Sequence, residues 1–332
     1  MNAVDRAAAI LPSDYVARLR ADFDGHAGIA DRLLAATTLE VPRGLRINTL
    51  RGEIEDTVAE LAKEELAGTP VPWAAWARVV TPDIARRVTE TDAWRDGRVV
   101  LQSLSSMLAV IALDPKPGER TLDLCAAPGG KTALIAALAD GRLDLHANDR
   151  SRRRCLRMRA LLDTLGVTAR IRTGPGERLP ARELGTFDRV LVDAPCSGEG
   201  RFRVDDDQSH ATWSKKVVRR LASLQKSLLH AAIAAVRPGG VIVYSTCTLG
   251  RDENEAVITR ALKRFGDGPT GIELDAVTTS IPKGLPLLGD PLDLGETAMR
   301  RLGPDPQGDP VAAATEGFFL ARIRRRGGEP VA

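Results

Sequence analysis

Two cysteines stand where this chain could perform nucleophilic chemistry. Cys196 lies in Asp193-Ala194-Pro195-Cys196-Ser197-Gly198, and Cys247 in Tyr244-Ser245-Thr246-Cys247-Thr248. Each follows a short apolar, β-branched run (residues 187–192 and 239–243) bounded by turn formers, the pattern of an interior parallel strand. In a doubly wound α/β sheet, ligands bind just beyond the carboxyl ends of the strands. Core filling explains two thiols at such positions poorly. A free thiol has a pKa of about 8.5, so a working nucleophile there needs a nearby cation to hold it ionised.

A third strand end offers a ligand site. Thr121-Leu122-Asp123-Leu124-Cys125 runs into Ala126-Ala127-Pro128-Gly129-Gly130-Lys131-Thr132 and then into the apolar helix pattern of residues 133–139. A strand, a glycine bend and a helix together present bare backbone N–H groups and a positive helix end to an anionic group. A phosphate-cradling Walker loop would need glycine at Cys125, and a dinucleotide fingerprint would need spaced glycines, not the adjacent Gly129 and Gly130. S-adenosylmethionine, a nucleoside bearing an amino-acid carboxylate, suits the bend from Cys125 to Lys131. The next strand pattern ends in Asp149, about eighteen residues on. A carboxylate there takes ribose hydroxyls or caps the helix that follows, and one residue can do both.

With these motifs in hand, the chain resembles the RNA cytosine-C5 methyltransferases of the Sun/Fmu type. The likeness rests on 122–132, on Asp193-Ala194-Pro195-Cys196-Ser197-Gly198-Glu199-Gly200, on 244–249 and on Glu253-Asn254-Glu255. Residues 45–50, 102–107 and 316–322 also match, so it spans nearly the whole chain. Within the family it is most similar to the bacterial small-subunit ribosomal RNA methyltransferase F group, without the C-terminal RNA-binding domain which that group carries. The resemblance implies a Rossmann-like S-adenosylmethionine-dependent methyltransferase sheet, mostly parallel with one antiparallel strand. It implies Cys247 as the nucleophile at cytosine carbon 6, Cys196 as the residue assisting product release, and Lys131 close to the target base. It implies 5-methylcytosine as product, in ribosomal RNA first and transfer RNA next. Lys131 is then a candidate for the field that ionises Cys247, or a solvated first-turn lysine. Asp193 is a candidate partner of the cytosine N3/N4 edge, or a loop cap. The bend residues Cys125, Ala126, Ala127, Pro128, Gly129, Gly130 and Lys131, with Asp149 and Asp193, form the expected cofactor site. One departure stands out: after the third strand the family has Gly-Asp-Gly, and this chain has Gly174-Pro175-Gly176. The adenine contact of that acid is then lost, or is supplied by backbone or by Glu177.

The 332 residues are 43% hydrophobic and 27% charged, enough for one large α/β domain and a smaller one. No run of eighteen apolar residues and no signal-peptide pattern is evident, which predicts a cytoplasmic protein with no membrane partner. The four cysteines lack Cys-x-x-Cys spacing, so no metal site and no disulfide is expected. Cys155 falls on one helix face with Met158, Leu162 and Leu165 and is expected in the core. A net charge of +3 does not identify a nucleic-acid partner, but Arg201 and Arg203 flank the Pro-Cys motif and are the expected phosphate contacts.

Residues 1–90 read as a separate small unit, which the resemblance implies is an N-terminal RNA-recognition-like α/β module, and 91–332 as the catalytic domain. Residues 12–23 and 53–66 are expected helices, 45–50 a strand, and 68–73 a break. Residues 266–316 are expected to be a long loop, followed by a terminal antiparallel strand over 317–324. Nothing in the pattern compels a dimer, so a monomer is expected. A catalytically inactive RNA- or ribosome-binding protein on this fold is the alternative. A small-molecule methyltransferase leaves the paired thiols unexplained.

Overall fold

The computed structural model describes residues 1–332 except 27, 269–270, 277–287, 289–298, 306–307 and 328–332. Helices α1 (Ala3–Ile10), α2 (Ser13–Asp22) and α3 (Ile29–Ala36) lead the chain. A small antiparallel sheet follows, made of β1 (Arg43–Ile47), β2 (Thr69–Val71), β3 (Ala74–Val80) and β4 (Val99–Leu101) in the order β2-β3-β1-β4. Helices α4 (Ile54–Lys63), α5 (Pro82–Val88) and α6 (Asp92–Arg95) belong to the same region. Strand β1 stops at Ile47 because Asn48 turns aside: its side-chain amide donates to the Gly97 carbonyl at 2.8 Å and to the Leu165 carbonyl at 2.9 Å. The stretch 68–73, expected to break the preceding helix, follows the end of α4 and contains β2 and its turn, since Thr69 and Pro70 pair with Val79 and Arg78. Strand β4 lies past residue 90, so this sheet draws on both sides of that position.

The large sheet is built on β5 (Arg120–Asp123), β6 (Asp144–Asp149), β7 (Arg170–Thr173), β8 (Phe187–Asp193) and β9 (Val236–Thr246), all parallel, in the order β9-β8-β5-β6-β7. Its helices are α7 (Leu104–Leu113), α8 (Gly130–Leu138), α9 (Arg152–Leu165), α10 (Lys215–Ala235) and α11 (Glu255–Phe265). Strands β8 and β9 are apolar on both faces, and the alternation shows why. Leu191 and Val243 pack into the cluster that holds α7 and α8, while Val190, Val192 and Ile242 pack into the cluster that holds α10. A strand covered on both sides needs a continuous apolar run. Cys155 joins Met158, Leu162 and Leu165 in the first of these clusters, as its helix face predicts.

The reversed strand is β12 (Phe318–Arg325), antiparallel beside β9. The loop expected over 266–316 is broken by β10 (Ile272–Leu274), β11 (Met299–Leu302) and α12 (Pro310–Ala313), and residues 277–287 and 289–298 of it lie outside the described residues. Strands β10 and β11 pair with the free side of β12. A bare strand edge leaves a row of unpaired backbone groups, and these two short strands cover it. Among the described residues no helix is long and apolar enough to cross a membrane.

Among the described residues, the core of helices α1 to α3 contains no residue of the small sheet. Tyr15, Leu19 and Leu34 share a core with Phe202, Trp213 and Leu249 of the large domain. The start of the chain is therefore part of the wall around the strand ends.

Candidate active site

Strands β8 and β9 are neighbours with Asp193 opposite Ser245, and the Ala194 N–H donates to the Ser245 carbonyl at 2.9 Å. That register brings the two thiols, three residues past Asp193 and two past Ser245, to an Sγ···Sγ distance of 3.2 Å. Both are half-buried free cysteines. The two sulfurs differ in character. Donation from the Cys196 thiol holds Cys247 below the ordinary thiol range against the opposing cost of burial, and the Arg201 guanidinium adds to that lowering. The hydrogen bond to Cys247, burial and the Cys247 charge push Cys196 well up. One sulfur is set to be the thiolate and the other its proton-bearing neighbour.

Arg201 joins Lys131 as a cation whose charge acts on Cys247. The Lys131 ammonium is held by Asp193, Nζ to Oδ2 at 2.8 Å, and the Ser245 hydroxyl donates to the other Asp193 oxygen at 3.0 Å. Burial lowers the lysine, but the Asp193 charge and hydrogen bond outweigh it and leave Lys131 raised. Arg201 and Arg203, expected as a pair, part company. Arg201 lines the cleft, whereas Arg203 forms a two-pronged ion pair with Asp205 at 2.8 and 2.7 Å and donates to the Leu39 carbonyl.

The thiols open into a cleft of about 530 Å³. Its far wall is the bend after β5, where Cys125, Ala127, Pro128 and Lys131 line the cavity and Gly129 adopts a φ of +111°. Only glycine holds that backbone conformation without strain, and the tight bend exposes the start of α8. Asp149 lies at the same wall, buried, accepting from the Ser151 N–H at 2.9 Å and from Arg154 at 3.1 Å. Arg154 also donates to the Ala127 carbonyl, which ties the bend to the end of β6. Cys125 stays a thiol, pushed well up by burial and by Asp123, Asp193 and Asp149 around it. Beyond β7, Gly176 and Glu177 face the cleft along with Leu224 and Leu228. Asn148 lines the same end, with its amide donated to the Leu124 and Gly174 carbonyls. A bend of open backbone, a carboxylate and an apolar end in one cleft fit the carboxylate, ribose and base of an adenosyl amino acid.

Residues 110–324 match the family model described as 16S rRNA methyltransferase RsmB/F. The chain belongs to that family. It is 34% identical over 325 residues to a ribosomal RNA small subunit methyltransferase F from Enterobacter sp. (strain 638), covering 95% of this chain and 63% of that protein. It is likewise 34% identical over 330 residues to the protein of the same name from Aeromonas salmonicida (strain A449), covering 96% and 65%. The chain thus spans about two thirds of the length of these relatives, 63% and 65%. A solved methyltransferase homolog protein from Pyrococcus horikoshii superposes with a TM-score of 0.78 at 31% identity, covering 97% of this chain and 98% of that one.

In this RsmB/F chain three buried acidic or amide residues hold the thiol loops, a part that the sequence reading did not assign. Glu253 accepts from the Ser197 N–H at 3.0 Å, from the Ser197 hydroxyl and from Gln225 at 2.8 Å, so it braces the Pro-Cys loop from below. Asn254 accepts from the Thr246 hydroxyl at 2.6 Å and donates to the Thr248 carbonyl at 3.1 Å, bracketing Cys247. Glu199 accepts from Trp213 at 2.8 Å and from the Leu249 and Gly250 N–H groups, and it meets Arg18 of α2 at 2.7 Å. The motif residues were visible in the sequence. Their burial was not, and polar groups buried this deeply need hydrogen-bond partners.

Proposed function

We propose that the chain transfers a methyl group from S-adenosylmethionine to carbon 5 of cytosine in structured RNA, ribosomal RNA first and transfer RNA next. The observation that carries the reading is the 3.2 Å pair of Cys196 and Cys247 facing the cleft that contains the Pro128 bend. A small-molecule methyltransferase has no use for two such sulfurs.

The residues divide the work as follows. The Cys247 thiolate, favoured by Cys196 and Arg201, adds to carbon 6 and turns the ring into an enamine-like nucleophile at carbon 5. S-adenosylmethionine, when bound, supplies the electrophilic methyl group. Asp193 accepts from the cytosine N4 amino group, which uracil lacks, and Lys131 fixes that carboxylate. Once Cys247 is bonded to carbon it carries no charge, so the main influence raising Cys196 is removed. Cys196 can then give its proton to solvent water and, as a thiolate, take the carbon-5 proton, while the carbon 6–sulfur bond breaks to return the Cys247 thiolate. The bend, with Asp149 on the ribose hydroxyls and Gly176 and Glu177 near the base, holds the donor. Pro175 has no side-chain acceptor and does not line the cleft, and one hydrogen bond to a neutral group contributes only about 0.5–1.5 kcal/mol. We assign residues 1–90 to RNA recognition and 91–332 to catalysis, with Arg201 at the phosphate backbone.

The test pairs two variants with RNA from a strain deleted for the gene. Bisulfite sequencing names the cytidine that loses its mark. Cys247→Ala abolishes its methylation in vitro, and Cys196→Ala accumulates a protein–RNA adduct that survives denaturing electrophoresis. The opposite pattern overturns the role assignment. Wild-type protein that methylates no cytidine supports the alternative, an inactive RNA- or ribosome-binding protein.

A further inference from the structure

A second cavity, of about 210 Å³, opens beside the cleft on the side of the N-terminal helices. The two share three lining residues, Arg43 from β1, Arg201 from the loop after Cys196, and Glu316 just before β12. Arg43 and Arg201 are exposed residues whose side chains, among the described residues, form no hydrogen bond or carboxylate ion pair, in contrast to Arg203. Tyr15, Leu33, Phe202 and Leu249 give the second cavity an apolar side and belong to the core that anchors α1 to α3 on the large domain, while Thr37, Glu199, Arg203 and Asp206 line the rest. A ridge of two arginines and Glu316 thus separates a reactive cleft from a smaller cavity with one apolar side.

That arrangement has the shape of a strand path. A base that reacts inside a cleft must leave its stack, and the nucleotide next to it then needs a separate place. Unstacked bases in single-stranded RNA are bound by apolar and aromatic surfaces, while cationic side chains hold the phosphates between them. We infer that the second cavity is the subsite for the base adjacent to the target cytidine, and that Arg43 and Arg201 hold the phosphate joining the two nucleotides. Its volume suits one heterocycle and not a whole nucleotide, which stays on the ridge. Glu316, the acceptor on that ridge, faces a hydroxyl or amino donor of the same nucleotide. The inference rests on the RNA reading above and adds to it a nucleotide subsite. It also gives α1 to α3 a purpose: they complete the wall of this cavity.

The test uses a short RNA carrying the mapped cytidine, and the same RNA with an abasic residue on its 5′ or its 3′ side. With the full-length wild-type protein, one of the two abasic RNAs raises KM about tenfold and leaves kcat within a factor of two or three. Ala36→Phe, which fills the cavity from α3, raises KM on the intact RNA by a similar factor and makes the protein indifferent to that abasic residue. S-adenosylmethionine affinity, measured by calorimetry, is unchanged in the variant. Abasic RNAs that both behave like the intact one overturn the subsite, as does an Ala36→Phe protein that binds donor normally and keeps the wild-type KM. If Ala36→Phe does not bind donor, the abasic series on the wild-type protein decides alone. No transfer to the intact RNA would instead overturn the reaction proposed above, so the two failures are distinct.

Discussion

Glu253→Ala offers the sharpest test of how the thiol pair is held. The Glu253 side chain is fully buried and receives two donors at Oε1, the Ser197 N–H and Gln225 Nε2, and the Ser197 hydroxyl at Oε2. Alanine strands the Ser197 N–H, whereas Gln225 keeps its bond to the Pro195 carbonyl at 2.9 Å and the Ser197 hydroxyl keeps Thr248 at 2.8 Å. One bare buried donor costs about 1–3 kcal/mol, and the empty space left by the side chain adds to it. Relief of a buried carboxylate, whose pKa burial raises, gives part of this back, so a net loss of about 3 kcal/mol is expected. At about 2.1 cal/mol/K per residue, 332 residues carry a melting entropy near 0.7 kcal/mol/K, which makes this a fall of about 4 °C. Ser197 adjoins Cys196, so a shift of about 1 Å there lowers methyl transfer about a hundredfold. Glu253→Gln keeps an oxygen at the Oε1 position and turns only the Ser197 hydroxyl, so it loses about 1 kcal/mol. Thermal melts with single-turnover transfer on the two variants make the comparison. An alanine protein that melts within 1 °C of wild type at full activity refutes the bracing role.

Three further outcomes follow from the geometry. A Cβ on Gly200 would lie 1.9 Å from the Gly317 carbonyl oxygen, and the Gly200 N–H donates to the Cys247 carbonyl at 3.0 Å. Gly200→Ala is therefore expected to cost at least about 1–3 kcal/mol and to slow transfer, as denaturant melts and turnover would show. At neutral pH iodoacetamide should alkylate Cys247 ahead of Cys196, and Arg201→Gln should shift that labelling to higher pH. Peptide mass spectrometry reads both, and Cys196 labelling first would contradict the assignment. Burial pushes Asp123 up to about 7 from 3.8, against the hydrogen bond from Thr132. The unfolded chain thus releases this proton first, so the stability linked to it is intact below about pH 4 and lost as pH rises to about 7. Denaturant midpoints of Asp123→Asn should fall less across that window than those of wild type. Parallel curves would show that Asp123 is already ionised in the folded protein.

What the sequence alone determined is the set of local patterns. A β-branched run closed by Pro-Cys or Thr-Cys places a thiol at a strand end, because strand and turn formation depend on neighbouring residues. The bend from Cys125 to Lys131, the strand ending in Asp149 and a strand at the end of the chain were readable on the same grounds, whereas the reversed direction of that last strand was expected only from the family resemblance. The tertiary structure decided everything that depends on charges and edges meeting across the chain. Lys131 turned out to pair with Asp193, and Arg201, read only as a phosphate contact, is also a cation that lowers Cys247. Helices α1 to α3, expected in a module with the small sheet, docked against Phe202 and Trp213, with Arg18 reaching Glu199. Strands β10 and β11 were missed because each has three or four residues and forms only when β12 presents an open edge. Glu199 and Glu253 look like surface acids in the sequence, and only the packing shows them buried. The physical reason is common to all of these: a charge or a strand edge acquires its energy from its partner, and that partner is fixed by the fold and not by adjacent residues.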